Sequence, residues 1–180
     1  MTNIESPLSE EIGNLLREKH LTLGTVESAT GGLIAQLITS ISGSSDYFHG
    51  SIVSYSNEIK MRLVGVKRET LDKYGAVSAK VAEEMAEGGR NALGVDVCIA
   101  DTGIAGPTGA TRNKPIGLFY LGLSHKKGTY NRRYAFHGSR EHNKEQAASA
   151  ALSWLKEYLG SLSQEEDKPT GFKSKRGWPV

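Results

Sequence analysis

Two apolar runs in this chain end in glycine loops, and helical stripes separate and flank them, which leaves little choice of architecture. Thr22 to Val26 gives way to Ser28-Ala29-Thr30-Gly31-Gly32 and then to the helical run Leu33-Ile34-Ala35-Gln36-Leu37-Ile38. Val95 to Ala100 reads as a strand covered on both faces and leads into Asp101-Thr102-Gly103-Ile104-Ala105-Gly106-Pro107. Strands alternating with helices predict a layered α/β domain, in which ligands collect at the carboxyl ends of the strands.

The remaining elements fit around that frame. Ser6-Pro7 opens a first helix, with Leu8, Ile12, Leu15 and Leu16 on one face, that ends near His20. Ser42-Gly43-Ser44-Ser45-Asp46 is a loop by composition, Gly50 to Tyr55 reads as a strand, and Asn57 caps a short helix running to Val64. Ser78 opens a helix with Val81, Met85 and Ala92 on its buried face, stopping near Gly94. Ile116 to Leu123 and Thr129 to Phe136 make two strands around Lys126-Lys127-Gly128, a connection so short that they run antiparallel, which makes the sheet mixed. Arg140 to Leu159 is a closing helix striped by Ala148, Leu152, Leu155 and Leu159 and widened by Trp154 and Tyr158. Ser161 to Val180 has no periodicity and reads as a mobile tail, so the domain spans 1–160 and the tail 161–180.

At 180 residues, with 38% hydrophobic and 23% charged, the chain builds one core without staples. A formal charge of +2, with acids and bases interspersed, gives no field for a nucleic-acid backbone. The single cysteine, Cys98, has no disulfide partner and reads as a small core residue. The N-terminus lacks a basic then apolar leader, and no run approaches a membrane span, which predicts a cytoplasmic protein with no membrane partner. His20, His49, His125, His137 and His142 show no ligand spacing, and there is no Walker pattern or full dinucleotide fingerprint. No metal and no cofactor is therefore expected.

Three segments at predicted strand ends can carry chemistry. In Glu27-Ser28-Ala29-Thr30-Gly31-Gly32, paired glycines before a helix suit an anion, or else merely permit close packing with Thr30 as the helix cap. In Tyr55-Ser56-Asn57-Glu58-Ile59-Lys60, the lysine becomes a base only where burial or a cation lowers its pKa; most lysines are solvated surface charges. A serine nucleophile needs such a base, and Ser28 and Ser45 are the loop hydroxyls best placed for it. The third segment offers Thr102, Gly103 and Ala105 as donors to a nucleotide or an oxyanion, or else is a plain connecting turn.

Taken together these segments resemble the C-terminal domain of the competence/damage-inducible CinA family, whose stand-alone members include nicotinamide mononucleotide deamidases. The family shows Ser-Cys-Thr-Gly-Gly, Gly-Ser-Ser, Tyr-Ser-Asn with a following lysine, Gly-Ala-Val-Ser, Thr-Gly-Ile-Ala-Gly-Pro and a downstream Lys-Pro. Here the matching stretches are Ser28 to Gly32, Gly43-Ser44-Ser45, Tyr55 to Lys60, Gly75-Ala76-Val77-Ser78, Thr102 to Pro107 and Lys114-Pro115, in that order.

The resemblance implies a three-layer α/β/α sandwich around a mixed, mostly parallel sheet of about five strands. It implies hydrolysis of the carboxamide of nicotinamide mononucleotide to nicotinate mononucleotide and ammonia, with Lys60 as base, Tyr55 as a supporting hydroxyl, and Ser28 or Ser45 as nucleophile. Ser28 is preferred, because a serine between a strand end and a helix N-terminus has oxyanion donors beside it. Thr30, Gly31, Gly32, Thr102, Gly103, Ala105 and Gly106 inherit substrate contacts, and Arg140 is a phosphate partner by its planar fork or else a surface arginine at a helix start. The implied partners are a small-molecule nucleotide and further copies of the chain in a homo-oligomer. Relatives with an N-terminal nucleotide-processing domain are common, and this chain resembles the stand-alone form.

Three positions depart from the family pattern: Ala29 replaces the usual cysteine, Thr108 to Asn113 replaces a glycine-rich stretch, and Lys144 stands where a second arginine is common. The alternative function is a non-catalytic nucleotide-binding or regulatory domain. A DNA-associated competence factor would need a basic stripe that the sequence lacks.

Overall fold

The computed structural model describes residues 5–162. Five strands, β1 (Leu23–Glu27), β2 (Phe48–Val53), β3 (Val97–Gly103), β4 (Leu118–His125) and β5 (Gly128–Ala135), form one sheet in the order β2-β1-β3-β4-β5. β1 pairs in parallel with β2 and with β3, while β3–β4 and β4–β5 are antiparallel, so β4 alone runs against the other four. The helices are α1 (Glu5–Glu18), α2 (Leu33–Thr39), α3 (Asn57–Val64), α4 (Arg68–Tyr74), α5 (Ala79–Leu93) and α6 (Arg140–Ser161). The expected tail lies outside the described residues, apart from Ser161, which closes α6, and Leu162.

Period-two alternation on the central strand divides the core into two faces. Val97 and Ile99 of β3 face one cluster with Leu23, Ile12 and Leu16 of α1, Ile34 and Ile38 of α2, and Leu152, Leu155 and Leu159 of α6. Cys98 and Ala100 face the other, with Val26, Val64 of α3, Leu71 of α4, and Val81, Met85 and Ala86 of α5. The result is the expected α/β/α sandwich. Cys98 is fully buried among apolar side chains, which pushes its thiol pKa up.

Several element boundaries differ from the sequence reading. β2 begins at Phe48 because Phe48 pairs with Leu23, two residues before the expected start. The cap of α3 is Ser56, whose hydroxyl accepts from the Ile59 amide at 3.2 Å, and not Asn57. Ala92 is exposed, and Ala82, Ala86 and Gly89 complete the buried face of α5. The segment between Gly65 and Gly75 holds a helix, α4, that the sequence reading does not contain; its two buried residues, Thr70 and Leu71, are too few to leave a stripe.

Candidate active site

The carboxyl ends of β1, β2 and β3 open on a cavity of about 170 Å³ lined by Ser28, Tyr55, Asn57, Lys60, Ala105 and Arg140, with Val77 and Gly103 among its further walls. Ser28 is the first residue beyond β1, and Lys60 projects inward from the first turn of α3, just past the end of β2. Parallel pairing of β1 with β2 therefore brings together two residues 32 apart in the chain, and Lys60 Nζ lies 2.8 Å from Ser28 Oγ.

Lys60 is 1% exposed, the opposite of the surface role most lysines have. Its amine also donates to the carbonyls of Ser54 at 2.8 Å and Tyr55 at 3.2 Å. Burial pulls its pKa down from an ordinary 10.5 to about 8, with Asp101 pulling the other way. A neutral amine has two hydrogens and one lone pair; the two carbonyls take the hydrogens, which leaves the lone pair for the Ser28 hydroxyl proton.

Two buried carboxylates that sequence reasoning passed over hold the Ser28 turn. Asp101 accepts from the amides of Ser28 at 3.0 Å, Ala29 at 2.9 Å and Thr30 at 3.3 Å, and contacts the Thr30 hydroxyl. Glu27 accepts from the Thr30 hydroxyl at 2.7 Å and from the amides of Gly32 at 2.9 Å, Ile34 at 3.0 Å and Ala35 at 2.8 Å. Glu27 thus places a negative charge at the start of α2, a helix with no side-chain cap at Gly32 and no acid in its first turn. Burial pushes Asp101 up to about 6; the Thr30 and Ser28 hydrogen bonds oppose the rise and Glu27 adds to it. A signal was present: each carboxylate sits at a buried strand end next to a glycine loop.

These contacts correct parts of the sequence reading. Thr30 is fully buried with both carboxylates on its hydroxyl, and neither it nor Gly31 nor Gly32 lines the cavity, so the first loop is neither a Thr30-capped turn nor an open anion cradle. The amides of Ser28, Ala29 and Thr30 point to Asp101 and are not free for an oxyanion. Among the described residues, the amides of Tyr55, Asn57, Ala76, Val77, Ala105 and Arg140, all lining the cavity, donate no hydrogen bond and are candidates for that work, Val77 and Ala105 among them.

Ser45 is not brought to the site. It lies in a short 3-10 turn (Ser44–Asp46) before β2, and β2 starts beside Leu23, at the amino end of β1. At ~3.3 Å per residue, the strand puts roughly 16 Å between that edge and Ser28. Tyr55 reaches Lys60 through its backbone carbonyl and not its hydroxyl; the phenol, 63% exposed, accepts from Arg140 Nη2 at 3.2 Å.

The third segment divides its labour. Thr102 donates its hydroxyl to the Ala76 carbonyl at 2.9 Å and so fixes the Ala76-Val77 wall instead of offering itself to a ligand. A Cβ on Gly103 would fall 2.3 Å from the Phe119 ring, so only glycine keeps this strand end flush. Ala105 is held by Asn143 Nδ2 on its carbonyl at 3.0 Å, and Gly106 by Arg140 Nη1 at 2.7 Å. Arg140, the first residue of α6, therefore stands at the mouth of the cavity. Lys144 follows one turn later, with its ammonium 3.8 Å from where a Cβ on Gly31 would lie. Among the described residues no group of three or more His, Cys, Asp or Glu side chains could hold a metal ion, and no helix is long and apolar enough to cross a membrane.

A mixed-sheet α/β sandwich with a buried serine–lysine pair at its strand ends defines a class of protein rather than a substrate. Residues 5–159 match the model of the CinA C-terminal domain, and the chain belongs to that family. A CinA-like protein of Leptospira borgpetersenii is 56% identical over 117 residues, 65% of this chain and 28% of that protein. A putative competence-damage inducible protein of Moorella thermoacetica is 48% identical over 151 residues, 84% of this chain and 36% of that protein. The chain thus spans about a third of the length of these curated relatives. Among solved structures, a competence damage-inducible protein A from Klebsiella pneumoniae superposes with a TM-score of 0.86 at 30% identity, covering 89% of this chain and 100% of that one. A competence/damage inducible protein from Agrobacterium tumefaciens gives 0.86 at 32% identity, covering 89% and 98%.

Proposed function

We propose that this chain is an amidohydrolase that converts nicotinamide mononucleotide to nicotinate mononucleotide and ammonia. The observation that carries the reading is the 2.8 Å approach of a buried, pKa-lowered lysine amine to a serine hydroxyl inside a cavity. Neutral Lys60 takes the Ser28 proton as Ser28 Oγ bonds to the carboxamide carbon, and the resulting oxyanion is met by the amides of Val77 and Ala105. The carbon–nitrogen bond then breaks, Lys60 gives its proton to the departing nitrogen, and ammonia leaves an ester on Ser28. Water adds to that ester with Lys60 again taking the proton, the bond to Ser28 Oγ breaks as Lys60 returns that proton to it, and the Ser28 hydroxyl and neutral Lys60 are restored.

Room for a pyridine carboxamide in the cavity, with a phosphate lying outward against Arg140 and Lys144, supports the substrate class. Lys144 supplies a point charge there, where an arginine would supply a fork. The test is ammonia release by the purified chain from nicotinamide mononucleotide, with nicotinamide and the dinucleotide as controls. Calorimetric binding of the mononucleotide with no ammonia formed would show a nucleotide sensor instead, and a Lys60→Ala variant with near-normal turnover would refute the dyad.

A further inference from the structure

Thr30 Oγ1 stands between two carboxylates, within hydrogen-bond reach of Glu27 Oε2 at 2.7 Å and of Asp101 Oδ1. A hydroxyl has one proton to donate. If both acids were ionised, one of these contacts would set lone pairs against lone pairs in a fully buried place, which is costly. The conflict vanishes when one carboxyl is a neutral acid that donates to Thr30 Oγ1 while Thr30 donates to the other.

The surroundings say which acid that is. Glu27 Oε2, the oxygen that meets Thr30, already accepts from the Gly32 and Ile34 amides at the start of α2, which leaves it no open direction in which to donate. Asp101 lies on the central strand, wholly buried, opposite Leu121 of β4. The charged groups acting on it are Glu27 of β1, which opposes a second negative charge, and Lys60 of α3.

We propose that Glu27, Thr30 and Asp101 form a proton-holding chain behind Ser28, in which Asp101 is the member that takes up a proton, making Asp101 the positioning residue that sets the charge on Lys60. With Asp101 ionised, the Lys60 ammonium is favoured; with Asp101 neutral, the free amine is favoured. Asp101 therefore acts on the base without touching substrate. The effect on rate rests on the hydrolase reading above, whereas the titrations below need no substrate.

The experiment is carbon-13 NMR of the intact chain with labelled aspartate carboxyls and labelled lysine ε-carbons, titrated with pH. Of the five aspartates, Asp101 is the fully buried one among the described residues. One aspartate is expected to titrate at about 6, against an ordinary value of ~3.9, so that it is ionised where Lys60 titrates, and to vanish from the Asp101→Asn spectrum. Asparagine copies the neutral acid toward Thr30, its oxygen facing the Ala29 and Thr30 amides and its NH2 facing the Thr30 hydroxyl, while the Ser28 amide, which meets the same Asp101 oxygen, loses its acceptor. Asp101→Asn should move the Lys60 midpoint down from about 8, by roughly half a pH unit or more. The acid limb of kcat/KM should follow it with KM little changed, whereas a merely structural Asp101 would lower the plateau and leave the limb in place. Aspartates that all titrate near or below ~4, or a Lys60 midpoint that stays put in the variant, would overturn the proposal. Should Asp101→Asn fail to fold, the wild-type aspartate titration decides alone.

Discussion

Replacing Lys60 by methionine keeps an unbranched side chain, one atom shorter, and removes its charge, and the structure fixes how the two proteins should differ with pH. The Lys60 amine titrates at about 8 in the folded chain and at 10.5 when free, so between these values the unfolded chain holds more protons than the folded one. Wild-type stability therefore climbs as pH rises through that window, and the cost of burying the ammonium is present in full below it. At 1.36 kcal/mol per pH unit the climb is about 3 kcal/mol. The methionine variant escapes this cost but leaves the Ser54 and Tyr55 carbonyls without their donor, a loss of ~1 kcal/mol each. Lys60→Met should thus be more stable than wild type by about 1 kcal/mol at pH 7 and less stable by about 2 kcal/mol at pH 10.5. Urea unfolding of both proteins at a series of pH values, followed by circular dichroism, measures the difference directly. Tyr47 and Cys98, whose pKa values burial raises, are present in both proteins and cancel. A stability difference that stays flat from pH 7 to 10.5 would mean that Lys60 is not held in a low-pKa environment, and the base assignment would fall with it.

Four further outcomes follow from the geometry. Because the base must be neutral, kcat/KM should rise about tenfold per pH unit below a limb at about 8 and then level off. Ser28→Ala should cut ammonia release by ~10³-fold or more with unfolding unchanged, since the Ser28 hydroxyl has Lys60 as its partner, whereas Ser45→Ala should stay within about twofold. Arg140→Ala should raise KM for nicotinamide mononucleotide ~10-fold or more while barely changing turnover of the nucleoside lacking phosphate, a split that separates phosphate binding from the hold on Gly106. Gly88→Ala should lower stability by about 3 kcal/mol in urea unfolding, because a Cβ there would fall 1.7 Å from the Val64 carbonyl oxygen where α5 crosses the end of α3.

Much of the architecture was legible because it is written in local periods. The mostly apolar run Val95 to Ala100 needs no partner to be read as a strand covered on both faces, and neither does the Leu152, Leu155, Leu159 stripe. The α3 cap, one residue off, and the start of β2, two residues off, were decided by a hydroxyl's reach and by strand pairing, which local composition does not encode. Ser28 and Lys60 were legible as candidates, because loops after strands are where ligands gather, whereas Arg140 was reached only through the family resemblance. The same rule could have set Ser45 aside: a loop that precedes a strand parallel to β1 opens at the other edge of the sheet.

The Ser28 turn shows why the remainder was hidden. Its three amides look, from the sequence, like an oxyanion site beside a nucleophile. They are spent on Asp101, 73 residues away from Ser28, a contact that exists only because β1 and β3 lie side by side. Holding the turn from behind fixes the Ser28 hydroxyl against Lys60 but removes its own backbone from the work of stabilising the oxyanion. On the proposed mechanism that work falls to amides of the cavity wall such as those of Val77 and Ala105, and the side chains that position these walls are Thr102 on the Ala76 carbonyl and Asn143 on the Ala105 carbonyl. The proposed nucleophile and oxyanion donors are thus set by different supports. A change at Thr102 or Asn143 should therefore lower kcat while leaving the Ser28–Lys60 contact and the Lys60 titration intact, whereas a change at Asp101 should move that titration.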